Sequence, residues 1–150
     1  MVSSRRLFLL TKVKVPYQPA FSQRAAQFYI ENRDRMLFLA KKNGFRLASI
    51  LQPVIGVDGK EYAPIERAYD VRPNMRHERE VFYATVRPLL QSFKAAHEEE
   101  GVCVADISDT VFKGHVEPLY ADDGHLLPVG NQIVAERVLA ELRRCNVVPF

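Results

Sequence analysis

The chain has 150 residues, of which 47% are hydrophobic and 26% are charged, so it can form one soluble domain with a hydrophobic core. Its 21 Lys and Arg residues are interspersed with 18 Asp and Glu, which leaves a net charge of only +3. Because nucleic-acid-binding proteins usually concentrate basic residues on one face, this pattern argues against a nucleic-acid partner. No stretch approaches the roughly 18 apolar residues of a transmembrane helix.

Short-range patterns leave the compartment open and indicate no metal or cofactor. The apolar run Leu7–Leu10 is shorter than the roughly 7–15 residues of a secretory h-region, so we expect no signal peptide. Cys103 and Cys145 fit no metal-ligand spacing, and neither do the four histidines. Since Cys103 lies in an apolar strand-like run and Cys145 at a helix end, we expect two separate thiols rather than a disulfide.

The first predicted element is a helix from about Ala20 to Asn43. Apolar residues recur in it at steps of three, four and seven, namely Phe21, Ala25, Phe28, Tyr29, Met36, Leu39 and Ala40. This stripe, together with Phe38, is expected to face the core. Asn43-Gly44 provides a left-handed stop.

A strand is predicted next, from Phe45 to Ile55, because "FRLASILQPVI" is short and almost continuously apolar. Such a run suits a strand buried on both faces of a parallel sheet. Residues 56–73 show no periodicity and predict a loop. A structureless loop of this length is uncommon in a compact domain, which makes a functional role plausible for it.

The helical period returns from about Asn74 to Glu100, with a break or kink expected near Arg87 because Pro88 removes a backbone donor. A second buried strand is predicted from Gly101 to Ser108. After a loop, a last helix is predicted from about Pro128 to Cys145. Its inward residues are expected to be Val134, Ala135, Val138, Leu139 and Leu142.

The order helix, strand, helix, strand, helix indicates an α/β fold with a parallel sheet. Two strands make a poor sheet, and three helices would have little surface to cover. We therefore expect the chain to be part of a larger α/β domain.

One candidate site stands out on the loop before the last helix, where Asp122 precedes His125 by three residues. In a hydrolytic triad, one ring nitrogen of a His takes a proton from the nucleophile while a carboxylate holds the other nitrogen. The loop follows the second strand and therefore lies at the carboxyl edge of the sheet, where open α/β folds place their ligand sites. Asp122 and His125 are thus candidate acid and base.

The surrounding sequence resembles a known family. "DDGHLLPVGNQIVAERVLAEL" (residues 122–142) resembles the final sequence block of the SGNH, or GDSL-type, hydrolases, and "VCVADISD" (residues 102–109) resembles the segment before it. "FYIENRDRMLFLAKKNGFRLASILQP" (residues 28–53) resembles the helix and strand that follow the family's Asn-Asp block. The resemblance covers about residues 28–142 and is most specific over residues 120–135.

The resemblance implies a flavodoxin-like α/β/α sandwich and a serine esterase or lipase that acts on carboxylic esters of small molecules, lipids or sugars. It assigns the general base to His125 and its orienting carboxylate to Asp122. Asp123 falls at the wrong step from the histidine, although an exchange of duties with Asp122 is left open. The family's Gly-Asp-Ser nucleophile motif does not occur, so we expect residues 1–150 to be the carboxyl-terminal part of a single domain whose nucleophile-bearing half is absent.

Two functions follow as hypotheses. The first is a GDSL-type esterase portion that is inactive alone, since no serine suits a nucleophile elbow. Only Ser108 follows a predicted strand, and it lies too close in sequence to the loop of His125. The second is a non-catalytic binding module derived from the same fold, with self-association through an exposed sheet edge.

Overall fold

The computed structural model describes residues 16–69 and 73–148. Within these residues the elements follow the order α1 (Pro19–Asn43), β1 (Ala48–Leu51), α2 (Pro64–Arg67), α3 (Pro73–Ala96), β2 (Cys103–Asp106) and α4 (Pro128–Arg144), with a 3-10 turn at Glu98–Glu100. None of the described helices combines the length and the apolar character that a membrane crossing requires.

The two strands pair in parallel, with Ala48 opposite Cys103 and Leu51 opposite Asp106. The predicted α/β character with a parallel sheet is therefore confirmed. Both strands are shorter than predicted, with four residues each. The rest of each apolar run lies outside the paired segment. The loops that follow Leu51 and Asp106 leave the sheet at the same edge, which is where the candidate site lies.

Helices α1 and α3 enclose the main core against the strands. Buried side chains from α1, α3 and the strands meet there, including Ala26, Leu37, Ala40, Leu47, Leu51, Tyr83, Val86, Leu90, Phe93 and Val104. Small residues at positions 26 and 40 let the two helices approach closely. The burial of this large apolar group supplies the main stabilising free energy of the fold.

The predicted core stripe of α1 is wrong for most of its members. Phe21, Phe28 and Phe38 expose 52%, 47% and 66% of their surface, and Ala25, Met36 and Leu39 are also exposed. Ala40 is buried as predicted, but the other buried residues of α1 are Ala26 and Leu37, so the core-facing side of the helix is displaced from the predicted stripe. The apolar residues of α1 thus lie on two faces of the helix, and their periodicity alone does not indicate which face packs against the core.

Helix α3 continues through Pro88, so the predicted break is absent, and the alternative of a kink stays a prediction. Pro88 and Ala84, four residues earlier, both lie on the exposed side of the helix. Water can therefore hydrogen-bond the Ala84 carbonyl that Pro88 leaves without its helical partner. The helix ends at Ala96, and a 3-10 turn leads into β2.

Helix α4 differs from its predicted packing in two ways. Ala135 and Leu139 are exposed, whereas Gly130 and Glu141 are buried. Glu141 is held by Arg137, at 2.8 Å, and by Arg144, at 2.7 Å. Two ion pairs compensate the desolvation of its carboxylate, which explains why an acid can occupy this position.

The prediction of two separate thiols is also wrong, because Cys103 and Cys145 form a disulfide between β2 and the end of α4. Their Cα atoms lie 5.5 Å apart, within the usual range for a bridge. The sequence places them 42 residues apart, and no local pattern reveals such a pairing. The bridge fixes the carboxyl end of α4 to the sheet.

Cys145→Ser is expected to lower the free energy of unfolding by about 2–4 kcal/mol, because the cross-link restricts the unfolded chain over a long loop. Urea denaturation of the oxidised wild type and the variant measures the difference. A reducing agent should lower the free energy of unfolding of the wild type to that of the variant, and it should leave the stability of the variant unchanged. Equal stability of all these samples would contradict a bridge in the folded protein.

Candidate active site

The candidate residues lie at the tip of a small hairpin formed by residues 119–127. Tyr120 pairs with Leu126 in an antiparallel bridge, and the Leu127 amide donates to the Leu119 carbonyl at 2.7 Å. The Ala121 amide closes the turn on the His125 carbonyl at 2.8 Å. Asp122, Asp123 and Gly124 form the tip, and these residue types favour tight turns because their side chains bond nearby backbone amides.

The hairpin rests directly on the first turn of α4. Gly130 is buried there, and a Cβ at this position would lie 2.6 Å from the Leu119 carbonyl oxygen. Only glycine permits this approach without a shift of the backbone. Helix α4 begins at Pro128, and Leu127 before it provides no side-chain cap. The hairpin contacts the first turn of the helix through the backbone of Leu119 and Gly130.

Asp122 and His125 face each other across the tip. The His125 Nδ1 lies 2.9 Å from Asp122 Oδ2 and 3.0 Å from Oδ1. The same carboxylate accepts the backbone amides of Gly124 and His125, each at 2.8 Å. Since Nδ1–H donates its hydrogen bond to the carboxylate, the Nε2 of His125 is left as an acceptor on a ring that is 83% exposed.

The Gly124 amide, then the His125 ring and the His125 amide, hold the pKa of Asp122 below its usual range. A carboxylate that accepts several hydrogen bonds favours its charged form. The pair therefore keeps its ionised acid throughout the neutral and mildly acidic range. Because the folded pKa is lowered, the interaction is present above the unfolded pKa and is lost as the pH falls through the folded value.

We expect the Asp122 carboxyl to titrate clearly below the ordinary Asp value of about 3.9 when followed by carbon NMR. His125→Ala should raise the midpoint, because the ring donor is lost while the two backbone donors remain. A wild-type Asp122 midpoint at or above the ordinary value would contradict the geometry of the tip.

The base of the hairpin is held by a buried carboxylate, Glu66, from α2. Glu66 Oε1 accepts the amides of Leu119, at 2.7 Å, and Tyr120, at 3.0 Å. Glu66 Oε2 accepts Lys60 Nζ, at 2.7 Å, and the Ala63 amide, at 2.9 Å. The side chains of Glu66 and Lys60 are both fully buried. Burial raises the pKa of Glu66, but Lys60 and the three amides outweigh it and hold that pKa below its usual range.

A second buried carboxylate, Asp58, supports the side chain of Tyr120. Asp58 is completely buried and accepts the hydroxyls of Tyr62 and Tyr120 as well as the Lys60 amide. Burial, followed by the Asp58 charge, raises the pKa of Tyr120, so the phenol stays protonated as a donor. Residues 64–67 of the loop predicted for residues 56–73 form the short helix α2 instead. The described part of that loop, residues 56–69, is thus a polar support for the hairpin. Its length was the only sequence signal of that role.

Helix α3 holds the surrounding loops with one row of polar side chains, Arg79, Tyr83 and Arg87. The Tyr83 hydroxyl donates to the Gln52 carbonyl at 2.8 Å, and burial raises the pKa of Tyr83 to about 12. Arg87 Nη2 donates to the Val57 carbonyl, at 3.2 Å, and to Ser108 Oγ, at 2.9 Å. These residues are four apart and therefore share one helix face.

A cleft of about 220 Å³ opens beside the imidazole. It is lined by Gln52, Pro53, Tyr120, Gly124, His125, Leu126, Asn131 and Val134. Apolar side chains such as Leu126 and Val134 line it together with the carboxamides of Gln52 and Asn131. Asn131 Nδ2 donates to the Leu126 carbonyl at 3.2 Å, so this amide also braces the hairpin.

None of the serines in the described residues hydrogen-bonds His125. Ser49 accepts Arg33 at 2.9 Å, Ser92 donates to the Pro88 carbonyl at 3.1 Å, and Ser22 accepts Tyr17 at 3.0 Å. Ser108 is buried between Asp106 and Arg87, to which it bonds at 2.6 Å and 2.9 Å. Ser3 and Ser4 lie outside the described residues. The described part of the chain therefore brings acid and base together without a serine.

Comparisons with known proteins give no assignment: no family model, no curated protein and no solved structure matches this chain.

Proposed function

We propose that this chain supplies the acid and base of a serine ester hydrolase of the SGNH type. His125 is the general base, Asp122 is its orienting carboxylate, and the nucleophilic serine comes from outside the described residues. The observation that carries the proposal is the contact of Asp122 with His125 Nδ1, which leaves Nε2 free to accept a proton at the rim of a cleft. The resemblance of residues 120–135 to the final block of the family supports it.

The reaction follows from these roles. As the serine oxygen bonds the ester carbonyl carbon, His125 Nε2 takes the hydroxyl proton, and the ionised Asp122 stabilises the imidazolium. The imidazolium then gives this proton to the departing alkoxide, which leaves an acyl-serine. Water attacks the acyl carbon and gives a proton to His125, and the carboxylic acid leaves as the serine regains its proton. Neither a metal nor a cofactor takes part in this sequence.

In this proposal the two parallel strands are the last strands of a flavodoxin-like sandwich. Further strands would extend the sheet from the outer edge of β1, and residues 1–150 would form the carboxyl-terminal part of a single domain. The parallel pairing of β1 with β2 and the position of the hairpin at their carboxyl edge support this arrangement. The exposed apolar residues of α1 also support it, because a further part of the domain would cover them.

The test compares the chain alone with the chain joined to the in-frame polypeptide encoded directly upstream. Hydrolysis of p-nitrophenyl acetate is expected only from the joined protein, and a fluorophosphonate probe should label a serine of the added part. A Gly-Asp-Ser stretch in that part is the expected location of the label. Hydrolysis by the chain alone that survives His125→Ala would overturn the proposal, and so would an inert, unlabelled joined protein.

A second candidate is a non-catalytic interaction module that associates with a second copy of itself. The large exposed side chains of α1 favour it, since Phe21, Phe28 and Leu39 lie along one side of the helix. Self-association through the sheet edge remains a prediction. Sedimentation velocity tests both versions: a dimer that becomes a monomer on Phe28→Asp supports the α1 face. A monomeric wild type excludes self-association, and with a cooperative melt it argues for an autonomous module that binds another partner.

A further inference from the structure

The cleft beside His125 has two walls that come from distant parts of the sequence. Gln52 and Pro53, on the loop after β1, form one wall, and Gly124 and His125, at the hairpin tip, form the other. The base of the hairpin is fixed by Glu66, but its tip projects beyond that contact. The separation of the walls therefore depends on what connects the tip to the loop.

Arg79 makes this connection from α3. Its Nη1 donates to the Ile55 carbonyl at 3.0 Å, and its Nη2 donates to the Asp123 carbonyl at 2.7 Å. Nη2 also lies 3.8 Å from the Asp123 carboxylate, and the Arg79 side chain is only 17% exposed. Asp123 stands between Asp122 and His125 in the turn, so this bond fixes the backbone that carries both side chains.

The chemistry of the guanidinium suits this task. Its two terminal nitrogens lie in one rigid plane and donate in fixed directions, so two carbonyls bound to them are held at a fixed separation. A lysine ammonium is a point charge on a flexible stem and does not impose such a separation. Since Arg79 is largely buried, water competes weakly for these bonds.

We propose that Arg79 is a positioning residue that sets the separation of the two cleft walls and the orientation of the Asp122–His125 turn. Only its consequence for catalysis rests on the proposed esterase function. Among the described residues, the charged or titratable groups near the contact include Asp122, Asp123 and His125 on the hairpin and, on α3, Tyr83 beside Arg79 itself. Arg79 thereby determines which groups the cleft admits beside the imidazole.

The test uses Arg79→Lys and Arg79→Gln in the intact chain and needs neither ester nor serine. Amide hydrogen exchange at Gly124 and His125 should become about 10-fold faster in both variants, because the tip opens more often. The pKa of the Asp122 carboxyl should rise toward its usual range, because the Gly124 and His125 amides align with it less well. Exchange at Cys103, whose amide in β2 donates to the Leu47 carbonyl at 2.9 Å, should stay unchanged and shows that the fold is intact.

Two controls distinguish the effect of the two hydrogen bonds donated by the Arg79 guanidinium from the effect of charge alone. Asp123→Asn keeps the carbonyl that Arg79 binds, so it should not raise the pKa of Asp122 or speed exchange at Gly124. Arg24→Lys, on the exposed side of α1, should change neither quantity. If Arg79→Lys behaves like the wild type, or if both Arg79 variants leave the tip unchanged, the inference is overturned. That result would leave the esterase proposal intact, just as an inert joined protein would leave this inference intact.

Discussion

His125→Ala is expected, under the proposed esterase function, to lower kcat for p-nitrophenyl acetate by roughly 10⁴- to 10⁶-fold in the protein joined to the polypeptide encoded upstream. Without the imidazole, no group in the cleft accepts the serine proton as the ester is attacked. The cleft and the substrate contacts remain, so KM should change much less than kcat. Steady-state kinetics at a pH near neutrality measure both constants.

The neighbouring carboxylates provide matched variants for this prediction. Asp122→Asn should lower kcat by roughly 10⁴-fold, because the amide no longer fixes the tautomer or stabilises the imidazolium. Asp123→Asn should have a small effect, since the Asp123 carboxylate lies beside Arg79 rather than the ring. A loss at Asp123 as large as that at Asp122 would mean that the two acids have exchanged roles.

Glu66→Gln is expected to lower the free energy of unfolding by about 3–5 kcal/mol, because it leaves the buried Lys60 ammonium without its counter-charge. In either orientation the Gln NH₂ group would face two donors, which are the Leu119 and Tyr120 amides on one side and Lys60 Nζ and the Ala63 amide on the other. Urea denaturation measures the change. Glu61→Gln, at an exposed position on the same loop, is the control and should be nearly neutral. A neutral Glu66→Gln would contradict the buried ion pair.

The same carboxylate makes the stability depend on pH. The folded pKa of Glu66 is lowered, so its contribution is fully present above the unfolded value near 4.3 and is lost as the pH falls through the folded value. The Glu66→Gln variant lacks this contribution. Its stability should therefore decline less steeply than that of the wild type in that acid range.

The sequence predicts the features of this protein that are local. Apolar periodicity identifies α1, α3 and α4, and continuous apolar runs identify both strands. The contact of Asp122 with His125 also follows from local sequence, because a three-residue step on an Asp-Asp-Gly turn brings acid and ring together with no help from distant chain. In each case the interaction that fixes the structure lies within a few residues.

Long-range features were missed for the same physical reason. Glu66 binds amides at positions 119 and 120, and Cys103 binds Cys145. Nothing near Glu66 marks it as buried, since acids on loops are usually solvated. The packing face of α1 was wrong because its apolar residues surround more than one side. The face of a helix that packs depends on the surface of the element it packs against, and the residue pattern of the helix alone carries no information about that surface.

The self-contained turn at residues 122–125 has a consequence for how a complete catalytic centre would form. The carboxylate and the ring are already aligned by two amides of their own turn, before any hydroxyl or ester arrives. The entropy of ordering these two groups is therefore lost once, when this chain folds. A serine hydroxyl that completes the centre then has to be placed correctly next to one atom only, the exposed Nε2 of His125. The association of two separate polypeptides meets this requirement as readily as the folding of one continuous chain.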